Sequence, residues 1–206
     1  MCSRFTKDLL LFTMTAAVTV ATALSPILSS AQSNYEIDPE HSFVTMKVNR
    51  FALVNVVGFF PEVAGSVTYD ASEPLSTTSE VIIQTESLYM GISEDRDLAI
   101  KSPVFLDVEN YPEITFKMTS VINDGFRNEA VGELTIHGKT NVIHMPFEVK
   151  GPEKDPTGLT TIAISGSLVI DRRDYGITFD RVLASGLPLI GFDVEIEISV
   201  LAVRSE

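Results

Sequence analysis

From Phe105 to Met118 the chain couples a proline turn to a strand whose apolar residues fall on alternate positions. Tyr111-Pro112 fixes the entrance to that strand, because proline locks its own φ and biases the residue before it away from helix. Ile114, Phe116 and Met118 then share one side, with Thr115, Lys117 and Thr119 opposite. A period of two places every second side chain on the same face of a sheet. A chain built of such segments must bury one face of one sheet.

The same alternation recurs along the chain. It is found in Val44, Met46 and Val48, in Val63, Gly65, Val67 and Tyr69, and in Val81, Ile83 and Thr85. Leu134 and Ile136 precede a turn at Gly138. Ile143, Met145, Phe147 and Val149 form one of the cleanest rows and run to Gly151-Pro152. Ile164, Gly166, Leu168 and Ile170 follow, then Val194, Ile196, Ile198 and Val200. About eight strands separated by short turn signals describe an antiparallel barrel or sandwich. The period is common to both. Closure is favoured because it removes sheet edges, and eight strands enclose just enough room for filler side chains or one ligand. Ser93 to Lys101 is the exception: acidic residues behind Ser93 and the stop at Pro103 predict one short helix. Nothing supplies helices between successive strands, which excludes a parallel α/β sheet.

Residues 1–31 read as a cleaved secretory signal peptide: Arg4 and Lys7, a largely apolar run from Leu9 to Leu28, then small residues to Ala31. The apolar run is broken by threonines and Pro26 and is marginal against the roughly 20 residues a membrane span needs. Residues 32–206 form one domain, expected in the periplasm or otherwise secreted. The chain's one cysteine, Cys2, leaves with the signal. A net charge of −13 disfavours nucleic acid and anionic headgroups as partners.

Chemistry-bearing residues are sparse. His41, His137 and His144 do not share a strand face at metal-ligand spacing, so no metal site is expected. Asp38, His41 and Ser42 lie close in sequence, but a polar turn into the strand at Phe43 accounts for them without a catalytic triad. No glycine-rich phosphate cradle precedes a helix, and no cofactor is expected. Two charged clusters, Asp95-Arg96-Asp97 and Asp171-Arg172-Arg173-Asp174, read first as solvated rims. The alternative sets Arg96 or Arg173 at a barrel mouth, where a guanidinium would hold a polar headgroup.

These residues resemble the YceI-like family of polyisoprenoid-binding exported proteins. Ile37-Asp38-Pro39 with His41-Ser42, Arg96-Asp97 with Lys101-Ser102, the hairpin Gly132 to Thr140 and the turn Asp171 to Gly176 carry the likeness, which runs from about Tyr35 to Val203. The resemblance implies a lipocalin-like, eight-stranded antiparallel β-barrel with one short helix, holding an isoprenoid lipid such as a quinone inside, with catalysis not the established role. Its pocket rows would fall on Val44, Met46, Phe60, Phe116, Met118, Leu134, Ile136, Ile143, Met145, Phe147, Ile164, Leu168, Phe179, Val194 and Ile196. Exchange of lipid implies transient contact with a membrane or a membrane protein. Three departures stand out: Ala99 replaces a family histidine, Tyr89-Met90 replaces an Asp-Thr pair, and Phe59 and Phe192 occupy positions that are often polar. Facing outward, those phenylalanines would supply surface for docking or for a homodimer. Two rival readings remain: a barrel with a filled core that serves structure or interaction, and a lipid-acting hydrolase using His41 or His137.

Overall fold

The computed structural model describes residues 32–123 and 125–205; the expected signal peptide lies outside the described residues. Among the described residues there are ten strands and one α-helix. In chain order they are β1 (Ser33–Ile37), β2 (Phe43–Arg50), β3 (Val54–Phe60), β4 (Val63–Tyr69), β5 (Thr78–Gln84), α1 (Glu94–Lys101), β6 (Glu113–Asn123), β7 (Asn128–Ile136), β8 (Lys139–Lys154), β9 (Thr160–Asp171) and β10 (Ile190–Arg204). All pairings are antiparallel. The ring runs β1-β4-β5-β6-β7-β8-β9-β10 and closes through β10 back onto β1. It is a closed eight-stranded barrel with two further strands, β2 and β3.

Those two strands lengthen the wall at one end. β10 pairs with β1 through Ala202 to Arg204 and with β2 through Ile190 to Ser199, so β2 continues the path of β1. The break between them is held by side chains. Ser42 Oγ donates to Leu201 O (3.2 Å), which also accepts from Asp38 N (2.9 Å), and accepts from Leu201 N (3.1 Å), bridging the break in the ladder. Asp38 accepts from Glu40 N at 2.9 Å and from His41 Nδ1 at 2.7 Å, which closes the turn. The His41 bond, followed by the Glu40 N–H, lowers the Asp38 pKa below the ordinary aspartate value. Asp38, His41 and Ser42 thus form the polar turn expected from sequence.

The alternating rows become the inner wall. Val44, Met46, Ile83, Ile114, Phe116, Leu134, Ile136, Leu168 and Ile196 all pack into one apolar cluster or directly against it, and Val48 is buried on the same wall. A second cluster, Tyr35, Val67, Tyr69, Ile162 and Ala202, fills the far end beside β1. A third, Met118, Val121, Ala130, Met145 and Phe147, lies between β6, β7 and β8. The barrel is therefore packed toward one end and roomier toward the other.

Three local expectations change. β8 does not stop at Gly151-Pro152: it continues to Lys154 through a register shift between Lys150 and Glu153. Thr85 leaves its row for a 3₁₀ turn, donating through Oγ1 to Tyr111 O at 2.9 Å. β1 and β3 are additional strands.

The helix forms where expected. Ser93 precedes it, Glu94, Asp95 and Asp97 sit in its first turn, and Lys101 in its last, each favourable to the helix dipole. It ends at Ser102 with extended ψ, as the residue before Pro103 must. The Asp95-Arg96-Asp97 cluster also has an inward task. Asp97 accepts from Met90 N at 3.0 Å while Arg96 donates to Met90 O at 3.2 Å, so both polar groups of one peptide segment are clamped to the helix.

Past Gln84 the chain leaves β5 for this helical detour, and β3 loses its neighbour. Phe59 and Tyr89 exchange backbone hydrogen bonds at 2.8 and 2.9 Å. By strand alternation the N–H and C=O groups of Asn55 and Val57 point the same way, and there they meet no partner among the described residues. Inside, Gly58 makes room for Leu88 and Met90, which fill the gap: a Cβ there would stand 3.0 Å from Leu88 Cδ1 and 3.2 Å from Met90 Cγ.

Candidate functional site: an apolar cavity under a two-part cap

The roomier end holds a cavity of about 160 Å³. Every strand of the wall there contributes alternate residues. Val44, Met46 and Val48 come from β2, Phe60 from β3, and Val81 and Ile83 from β5. Ile114 and Phe116 come from β6, Leu134 and Ile136 from β7, Ile143 and Met145 from β8, and Leu168 and Ile170 from β9. β10 supplies Ile190, Val194, Ile196, Ile198 and Val200.

Of the pocket positions named from sequence, Val44, Met46, Phe60, Phe116, Leu134, Ile136, Ile143, Met145, Leu168, Val194 and Ile196 line this cavity. Four do not. Met118 and Phe147 point inward but lie deeper, packed into the cluster between β6, β7 and β8. Ile164 sits partly buried among all three clusters. Phe179 is not on a strand: it lies on the connection between β9 and β10 and stacks on Phe105 from outside the cavity wall.

The cap comes from segments with no strand period, which is why sequence reasoning passed over Ile100, Phe105, Leu106 and Ile177. One half of it is α1 with residues 102–111, coiled tightly by bonds from Leu106 N to Ile100 O (2.9 Å) and Tyr111 N to Asp107 O (2.8 Å). The other half is residues 176–189. Phe105 and Phe179, with ring centroids 5.1 Å apart, join the two.

Arg172 anchors the second half. It sits in the 3₁₀ turn Arg172–Tyr175, is buried and borders the cavity. Its Nε donates to Gly191 O (2.9 Å), Nη1 to Ile177 O (2.5 Å), and Nη2 to Phe179 O (2.6 Å) and Ile190 O (3.3 Å). Burial lowers its pKa from the ordinary arginine value, with the nearby Asp171 carboxylate opposing.

The two arginines marked as rim candidates are both engaged with the protein. Arg96 clamps Met90. Arg173 points outward, ion-pairs with Asp171, and lies over the Phe192 ring at 4.0 Å. Of the adjacent pair it is Arg172 that turns in. Ala99, where the family histidine was expected, is exposed on α1.

His137 belongs to a two-residue hairpin turn between β7 and β8, with φ of 51° at His137 and 70° at Gly138. The Tyr111 ring packs on it, with ring centroids 4.4 Å apart. His144 is exposed on the outer face of β8. Among the described residues no three histidine, cysteine or carboxylate side chains cluster as a metal site would require.

Comparison with known proteins agrees with this architecture. The family model described as YceI-like domain matches residues 35–202. A UPF0312 protein of Pseudomonas syringae is 33% identical over 165 residues, covering 79% of this chain and 85% of the relative. Among solved structures, Burkholderia cenocepacia BcnA aligns with a TM-score of 0.70 at 19% identity, over 80% of this chain and 98% of that one. A domain from Saccharophagus degradans, described as polyisoprenoid binding and implicated in plant cell wall breakdown, aligns at 0.61 and 16% identity, over 83% and 98%. At those identities the two structures establish a shared fold. With the family model spanning nearly all of the barrel, the chain belongs to the YceI-like family.

Proposed function

We propose that this protein binds a long isoprenoid lipid, such as an isoprenoid quinone or a polyprenyl chain, inside the barrel and stores or carries it without transforming it. The observation that carries this reading is the cavity, walled mainly by aliphatic and aromatic residues, with Arg172 and Thr45 at its border, and capped by segments outside the strand ladder. The polyisoprenoid-binding description of the Saccharophagus degradans domain, which shares the fold, supports the choice of cargo. Burying a five-carbon isoprene unit offers about 4 kcal/mol gross at roughly 0.8 kcal/mol per methylene.

The size of the cavity sets a condition. At about 160 Å³ it matches the roughly 150 Å³ engineered cavity that takes one benzene. A long tail enters only as the interior yields. Met46 and Met145 in the wall and Met118 below are the adaptable side chains for that, because thioethers have soft torsions and polarizable sulfur.

Residues 1–31 direct export in this reading, and loading takes place by transient contact with a membrane or a membrane protein. The free edge of β3 suits the other expected partner, a second copy of the chain. No charged residue lies from Phe51 to Pro61, so two strongly acidic molecules meet there without like-charge repulsion. Phe43, Phe59 and Tyr89 offer apolar surface beside it, and Phe59 is 44% exposed.

The test is organic extraction of the purified protein followed by mass spectrometry, together with uptake of an added isoprenoid quinone. An isoprenoid in the extract or stoichiometric uptake is expected. Neither bound isoprenoid nor uptake rejects the proposal and leaves a barrel with a filled core.

A further inference from the structure

The hydrocarbon wall is interrupted at one inward place. Where β9 gives way to the turn Arg172–Tyr175, both of those residues border the cavity, at 4% and 2% exposure. The Tyr175 hydroxyl is buried with no hydrogen-bond partner. The Asn141 amide is near enough to oppose the rise that burial gives the phenol pKa, yet it makes no hydrogen bond of normal geometry to it and donates instead to Asp174 O at 3.3 Å. Arg172 directs four hydrogen bonds at backbone carbonyls, whereas a guanidinium carries five N–H donors. Thr45 also borders the cavity and has an unpartnered Oγ1, but its side chain lies on the face of β2 opposite to Val44, Met46 and Val48.

A buried hydroxyl without a partner is costly, and proteins rarely leave one so. Resting on the lipid-binding reading above, we propose that Tyr175 is the residue that reads the polar end of the cargo. It donates to a carbonyl oxygen, as in a prenyl ketone or a quinone head, lodged beneath the cap with the tail running toward Met145. A neutral acceptor fits better than an anion. The guanidinium beside it is already surrounded by carbonyl oxygens, and the remaining wall would strip a charged head of water without repaying the loss.

Calorimetric titration of the full mature protein with a C20 prenyl ketone and with a hydrocarbon of the same length decides the matter, repeated on Tyr175→Phe. The native protein is expected to favour the ketone by about tenfold, the worth of one well-made buried hydrogen bond. Tyr175→Phe removes that preference, leaves the hydrocarbon affinity unchanged, and melts no lower than the native protein when empty, because an unpaired hydroxyl has gone. Equal affinities in the native protein, or a preference that survives in Tyr175→Phe, overturn the assignment alone. Binding of neither compound overturns the lipid-binding reading and this one with it. If Tyr175→Phe does not fold, equal affinities in the native protein still overturn the assignment, and Tyr175→Leu takes the place of the phenylalanine variant.

Discussion

The rings of Phe105 and Phe179 meet at 5.1 Å and 40° across the cap, and they join two segments that are otherwise far apart in sequence. Phe105 faces the cavity, and Phe179 covers it from a segment whose carbonyls are held by Arg172. In the lipid-binding reading, parting this pair would open the cap. Phe179→Ala should cost about 1–3 kcal/mol from lost stacking and burial and speed the entry and exit of an apolar fluorophore several-fold in stopped-flow traces. Unchanged exchange rates would place the door elsewhere.

Tryptophan scanning separates hollow from filled. The chain has no tryptophan, so each substitution brings its own fluorescence signal. Ile143 borders the cavity and Phe147 does not. Ile143→Trp should fold with little loss and exclude ligand, whereas Phe147→Trp should lose about 1–3 kcal/mol to overpacking, read from urea unfolding.

Gly138 tests the β7–β8 turn. Its φ of 70° suits glycine, and a Cβ would come 2.5 Å from Tyr111 Cε1. Gly138→Ala should destabilise by about 2 kcal/mol or more, combining left-handed backbone cost with the clash. Tyr111→Ala introduced alongside it should recover the clash part, which a double-mutant cycle would register.

The free edge of β3 predicts a concentration-dependent dimer. Val57→Lys places a charge beside the unpaired backbone groups, a device by which natural edges resist pairing. Sedimentation should show the native protein dimerising and the variant remaining monomeric, with ligand uptake intact. A native protein that stays monomeric at high concentration removes this partner.

Stability should fall at alkaline pH. Burial raises the pKa of both Tyr69 and Tyr175 above the ordinary value of 10.0. A pKa raised in the folded state contributes stability that is complete below the unfolded value and is lost as pH climbs through the folded one. Thermal melts from pH 8 to 11.5 should therefore decline above about pH 10, and Tyr175→Phe should flatten part of that decline.

Much of the barrel was legible because strand faces obey a strict period. Ile143 and Met145, or Leu134 and Ile136, point inward as alternation demands. The period gives the face of a residue but not its depth, which is why Met118 and Phe147 were grouped with Phe116 and Met145 although they lie lower in the barrel. β3 escaped notice for a different reason. Gly58 stands inward where a large residue was expected, while Val57 and Phe59 are apolar and face out, so the row carries no clear contrast. Neighbouring arginines posed a third problem. A 3₁₀ turn decides that Arg172 enters and Arg173 leaves, and nothing in Asp171-Arg172-Arg173-Asp174 signals which. The cap residues Ile100, Phe105 and Leu106 come from a stretch without periodicity, where only tertiary packing assigns a side.

Under the proposed function, the small volume of the cavity bears on how a bound lipid would be released. A rigid tube wide enough for a prenyl chain would be left hollow at delivery, at about 2–3 kcal/mol for each 100 Å³ of void. In the lipid-binding reading, an interior of about 160 Å³ that widens around a tail and closes behind it would avoid most of that penalty. Handover can then run in either direction, governed by which greasy environment the tail meets next.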